Sequence, residues 1–188
     1  MKVGDPWSPH PTQVLMAFLS GDIKTVHYLY KKHSALALLV AIVFSNTAFA
    51  AKAPAFSLKG DNGKVELSTY QGQVVYVDFW ASWCKPCRKS FPFMNNMERK
   101  YAKKGLKIIA INMDSKQADA GKFLKKNPAK FTIAYDPDGK TANAYKLRVM
   151  PTSYIIDRKG NITFTHKGFK PGQVEELEKL IVQTLNKK

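Results

Sequence analysis

Cys84 and Cys87 are the only two cysteines of the 188-residue chain, and only Lys85 and Pro86 separate them. Two thiols at this spacing close on one another with little rearrangement. They also trade that bond with a disulfide on another molecule, by thiolate attack and a mixed-disulfide intermediate. The run just ahead, Val74–Trp80, is rich in β-branched and aromatic residues and reads as a buried strand. Residues 88–104, just behind, read as a helix, with Pro86 in its first turn, where a missing N–H costs nothing. Pro92 lies farther inside and is expected to bend it. A cysteine at a helix start has its thiolate stabilised by unpaired backbone N–H groups and the positive end of the helix dipole. Strand, CxxC, helix is a setting for a reactive sulfur.

The chain is long enough for one domain and a leader. Lys31 and Lys32 form a short basic region, ten apolar residues over 35–44 follow, and Ala48 and Ala50 place small residues where a signal peptidase reads. Cleavage is expected after Ala50. The apolar stretch is well short of the roughly 20 residues that span a bilayer, so an uncleaved membrane anchor is the lesser reading. Residues 1–30 are unusual ahead of such a leader, and Met16 is an alternative start. The remaining residues, 51–188, hold 26 Lys and Arg against 12 Asp and Glu, a net charge of +14. Such a charge favours acidic partners or anionic surfaces. The lysines are spread along the whole segment rather than massed, and an exported protein rarely meets nucleic acid, so no nucleic acid is expected as a partner.

Export also sets the redox compartment, one in which cysteine pairs persist as disulfides. A bond between Cys84 and Cys87 closes a loop of only two intervening residues, so its entropic stabilisation is small. The pair is therefore expected to exist for chemistry rather than for stability.

The rest of the chain supplies elements to hold the pair. Residues 51–54 read as a linker, 65–67 as a short strand and 70–73 as a turn. Residues 106–112 read as a second buried strand, 117–126 as a helix, 131–135 as a strand and 136–139 as a turn. A short helix is expected over 141–146, and an antiparallel hairpin from 153–157 and 162–166 around Arg158 to Asn161. Val174, Leu177, Leu180, Ile181 and Leu185 recur at helical spacing and mark a closing amphipathic helix. Strands alternating with helices, then a hairpin and a last helix, predict an α/β fold around a mixed central sheet flanked by helices.

The segment from Val77 to Cys87, VDFWASWCKPC, resembles the active-site segment of the thioredoxin superfamily, and Val149-Met150-Pro151-Thr152 resembles its cis-proline loop. Residues 54–185 as a whole are similar to the exported TlpA/ResA-like disulfide reductases. That likeness implies a thioredoxin fold with an N-terminal strand segment, here 53–58, and a central insertion, here about 114–136. Two positions depart from it. Reductases of this group commonly carry Asn at the position of Asp78 and Glu at that of Ser90, whereas Asp78 matches the buried carboxylate of thioredoxin proper.

The resemblance implies roles. Cys84, nearer solvent and the helix dipole, is the nucleophile, and Lys85 beside it favours the thiolate. Cys87 is the resolving thiol, and Pro86 stiffens the turn. Asp78, buried and with a raised pKa, takes a proton from a thiol. Trp83 leans toward substrate contact and Trp80 toward the core. Pro151 in the cis form is expected to face the sulfurs and leave the Met150 backbone free to pair with an extended substrate. His166 is the only histidine beyond residue 50, too few for a Cys/His zinc site, and it reads as a surface or packed residue. Arg88 after Cys87 excludes a CxxCH haem attachment, and Ala81 stands where a peroxiredoxin needs Thr. No metal or cofactor is expected. The function implied is an exported, monomeric thiol–disulfide oxidoreductase that reduces periplasmic protein disulfides, apocytochrome c among them. Its electrons would come from a membrane thiol transporter of the DsbD or CcdA kind. A disulfide-inserting oxidant and a redox-inert peptide-binding chaperone remain as alternatives.

Overall fold

The computed structural model describes residues 51–187, so the expected leader, its cleavage after Ala50 and the alternative start at Met16 lie outside the described residues. The elements run β1 (Ser57–Gly60), β2 (Gly63–Glu66), β3 (Val74–Trp80), α1 (Lys85–Tyr101), β4 (Leu106–Asn112) and α2 (Gln117–Lys126). They continue with β5 (Thr132–Tyr135), α3 (Lys140–Ala144), β6 (Thr152–Ile156), β7 (Ile162–Lys167) and α4 (Val174–Asn186). All seven strands join one sheet in the order β2-β1-β5-β4-β3-β6-β7. β3 and β4 are parallel, as are β4 and β5, while every other pair is antiparallel. The mixed sheet expected from the sequence is present.

β3 sits at the centre, and all seven of its residues are buried. A strand covered on both faces reads as a continuous apolar run rather than an alternation. Its alternate residues serve two cores. Val74, Tyr76 and Trp80 face the side packed by Phe91, Met94 and Met97 of α1, Phe123 of α2, and Leu177 and Ile181 of α4. Val75, Val77 and Phe79 face the other, with Tyr145, Tyr154 and Phe56. Asp78 falls on the α1 side by the period-two rule.

Several expectations need correction. The first helix starts at Lys85 rather than 88, because Cys84 itself caps it: its Sγ accepts the Cys87 N–H at 3.3 Å. The helix runs through Pro92, then ends in a single 3-10 turn, Ala102–Lys104, closed by Gly105 at φ 92°. The N-terminal strand is Ser57–Gly60, later than 53–58. Residues 51–54 are no free linker. Ala53 N–H donates to the Gly160 carbonyl at 2.9 Å, and Ile162 N–H to that of Ala51 at 2.8 Å, which ties the segment to the β6–β7 turn. The central insertion supplies α2 and β5, and β5 bridges β4 to the β1–β2 hairpin.

Candidate active site

Two chain segments meet at one end of the sheet. β3 leaves that end through Ala81, Ser82 and Trp83 into Cys84. β6, antiparallel to β3 with Phe79 opposite Thr152, enters there from Val149, Met150 and Pro151. The Met150–Pro151 peptide is cis, as expected. Thr152 Oγ1 donates to the Val149 carbonyl at 2.8 Å, and the Pro151 carbonyl accepts the Gly168 N–H at 2.7 Å, so the loop is held from both sides. The Met150 backbone N–H and C=O make no hydrogen bond among the described residues. A strand edge with free backbone groups is where an extended peptide adds.

Cys84 and Cys87 form a disulfide. Both cysteines are buried, Cys87 fully and Cys84 with 5% of its surface left exposed. Trp83 and Val149, 67% and 49% exposed, are the large hydrophobic side chains left open to solvent among the described residues, and each segment carries one. Lys85 and Pro86 are exposed. Trp80 is fully buried against Phe91 and Phe123, a core residue as its position in β3 predicts. His166 is half-buried and stacks on Phe164.

Asp78 is 2% exposed, and its Oδ2 has no hydrogen-bond partner among the described residues. Burial without a compensating partner raises its pKa well above the ordinary carboxylate range. It lies opposite Ser153, whose Oγ accepts from the Tyr76 hydroxyl at 2.8 Å. Ser90, where a carboxylate is common in similar reductases, is buried and donates to the Cys87 carbonyl at 2.8 Å. It binds backbone and offers no titrating group beside the second cysteine.

Sequence reading missed a second buried carboxylate. Asp114, 6% exposed, sits just past the end of β4 and holds the loop that carries the first cysteine. Its Oδ2 accepts the Ser82 N–H at 2.9 Å and the Asn112 side-chain amide at 2.8 Å, while Oδ1 accepts the Ser82 hydroxyl at 2.9 Å. The sequence marks only the place: Asn112 closes the buried parallel strand β4 and Asp114 lies just beyond it, and functional sites of open α/β sheets gather at such carboxyl ends.

Known proteins with this sequence pattern have a shared chemistry. The redoxin family profile matches residues 48–181. The chain is 37% identical over 132 residues to the thiol-disulfide oxidoreductase ResA of Bacillus thuringiensis subsp. konkukian, covering 69% of this chain and 76% of that protein. It is 33% identical over 138 residues to ResA of Bacillus subtilis, covering 68% and 77%. Among solved structures it is similar to a Chlorobium tepidum protein described as the thiol:disulfide interchange protein DsbE. That match has a TM-score of 0.72 and 51% identity, over 73% of this chain and 97% of the other.

Proposed function

Given that the chain belongs to the redoxin family and is a TlpA/ResA-like, thioredoxin-fold thiol–disulfide oxidoreductase, we propose that it works as a reductant of protein disulfides outside the cytoplasm. The observation that carries this reading is the asymmetry of the pair. Cys84 caps the start of α1 and keeps a little exposed surface, whereas Cys87 is sealed in the core on the sheet face that also holds a protonatable carboxyl.

In the dithiol state the Cys84 thiolate is stabilised by the N-terminal N–H groups of α1 and by Lys85. It attacks one sulfur of a client disulfide. A Cys84–client bond forms, the client S–S bond breaks, and the other client sulfur leaves as a thiolate that takes a proton from water. Cys87 then gives its proton to the ionised form of Asp78, which later returns it to water, and attacks Cys84 Sγ. The Cys84–Cys87 disulfide forms, the mixed disulfide breaks, and the second client thiolate departs. Two electrons have passed to the client, and the protein is left in the oxidised state of the structure. Trp83 and Val149 would flank the client, whose backbone pairs with Met150 beside Pro151, while Pro86 limits motion of the turn. The reading extends to a periplasmic monomer recharged by a membrane thiol transporter of the DsbD or CcdA kind, with apocytochrome c as a client whose CxxCH must be reduced.

A second reading, that of an oxidant, has its own observation. The first turn of α1 holds Lys85 and, just after it, Arg88 and Lys89, with no acid. Cations there stabilise the thiolate, hence the reduced form, and raise the potential. Equilibration with glutathione decides. A potential near that of thioredoxin, about −270 mV, supports the reductant, and one near −120 mV overturns it. Insulin reduction by wild type, absent in Cys84→Ser, is the companion result; activity surviving in Cys84→Ser would refute both enzymatic readings.

A further inference from the structure

A groove of about 430 Å³ lies directly beside the cysteine turn. One wall is Ser82 and Arg88, two residues before Cys84 and one after Cys87. The other is the outer edge of α2, with Asp119, Lys122 and Lys126, and buried Phe123 lies beneath them. Three cations therefore face one carboxylate. That carboxylate is already engaged, since Lys122 Nζ is 3.4 Å from Asp119 Oδ1, whereas Arg88 and Lys126 make no ion pair among the described residues.

Two local features here work against the helices that carry them. Lys122 and Lys126 stand four apart on one helix face as a like-charge pair, although Lys126 falls in the last turn of α2, where the dipole favours a cation. Lys85, Arg88 and Lys89 crowd a helix start, where the dipole prefers acids. Elsewhere basic residues obey the dipole, as Arg99 and Lys100 do in the last turn of α1. Three exposed cations against one carboxylate that is already engaged, gathered at one concave place beside the cysteine turn, point to an anionic occupant. The groove is open and shallow, its cations are exposed, and its lining residue Ser82 directly precedes the exposed Trp83. Those are the features of a surface that follows a polypeptide, not of a closed site for a small ion.

We infer that this groove selects the client, taking an acidic segment that flanks the client's cysteine while Trp83 and Val149 take its apolar neighbours. The inference rests on the exchange chemistry proposed above and names its substrate class. Charge matched in this way acts mainly on encounter rate and fades as salt rises.

The test uses two disulfide-linked peptides, identical except that four residues beside one cysteine are Asp and Glu in the first and Asn and Gln in the second. Reduced protein is mixed with each, and the second-order rate constant is measured at low and high ionic strength. The acidic peptide is expected to react about tenfold faster at low salt and to lose that lead at high salt. The lead should vanish in Lys122→Gln/Lys126→Gln and persist in Lys103→Gln/Lys104→Gln. The latter removes the same charge about 25 Å away, at the other end of α1. Equal rates on the two peptides in wild type overturn the inference, as does an equal loss in both double variants, which would assign the effect to overall charge. So would anionic phosphatidylglycerol vesicles whose binding depends on Lys122 and Lys126 while peptide discrimination does not. If neither peptide nor the neutral hydroxyethyl disulfide is reduced, the reductant reading fails instead. The same peptides in dithiol form, mixed with oxidised protein, then put the groove to the same comparison.

Discussion

Two buried carboxylates stand on neighbouring parallel strands, one inside β3 and one just past β4, and they are built in opposite ways. Asp114, beyond β4, accepts three hydrogen bonds, two of them from Ser82. Asp78, inside β3, is at least as buried and leaves Oδ2 without a partner among the described residues. A carboxylate with all-donor surroundings is fixed in place and holds its loop in place with it. A carboxyl in apolar surroundings resists ionising, so it keeps its proton well above the ordinary carboxylate range. One acid holds the loop that leads into Cys84; the other has the surroundings that the proposed proton transfer from Cys87 needs. Geometry separates the roles where residue type does not.

Removing Asp114 is the harshest way to break the contrast. In Asp114→Ala, the Ser82 N–H, its hydroxyl and the Asn112 amide all lose their acceptor. Each buried donor left unmade costs about 1–3 kcal/mol. Denaturant unfolding of the oxidised protein should show a loss of about 3 kcal/mol or more. A loss below about 0.5 kcal/mol would mean that the clamp holds nothing.

Replacing Asp78 should do the reverse. Its folded pKa is raised by burial, so the native state keeps a proton that the unfolded chain releases. There is no penalty below the ordinary carboxylate pKa. The penalty grows as pH rises from there and is complete above the folded value. Asp78→Asn should therefore be more stable than wild type at pH 8 by about 1–3 kcal/mol, with the gap closing toward pH 4. A gap independent of pH would mean that Asp78 has the same pKa folded and unfolded. Resolution of the mixed disulfide should meanwhile slow by about tenfold or more near pH 7, with an altered pH profile. Superimposable profiles for wild type and variant would remove Asp78 from the exchange.

How far the sequence went follows the same division. β3, β4 and the hairpin β6–β7 were legible because unbroken β-branched runs leave few alternatives. The cysteine pair, Pro151 and the exposed Trp83 were legible because a short, dense motif carries them. Asp114 escaped because its role depends on a contact across 32 positions, from β4 to Ser82, and no local pattern encodes that register. The start of α1 was misplaced for a related reason: Cys84 is a weak cap by residue type, and only the fold shows its sulfur accepting the Cys87 N–H. Residues 51–54 look like a linker because their hydrogen bonds run to a turn more than a hundred residues away.

The smallest expected effect separates the two acids most cleanly. Ser82→Ala deletes one bond of the clamp, from the hydroxyl to Asp114 Oδ1, and leaves the backbone N–H on Oδ2. The loss should be about 1 kcal/mol, because the rest of the network still holds the loop. No hydrogen bond links Ser82 or Asp114 to Asp78 among the described residues. The stability changes of Ser82→Ala and Asp78→Asn should therefore add in the double variant to within about 0.5 kcal/mol, the tolerance for independent sites. Ser82→Ala should also leave the pH dependence of mixed-disulfide resolution where it stands in wild type. A coupling of about 1 kcal/mol or more in that cycle would join the two carboxylates into one network. Their division of labour would then be an accident of the oxidised state.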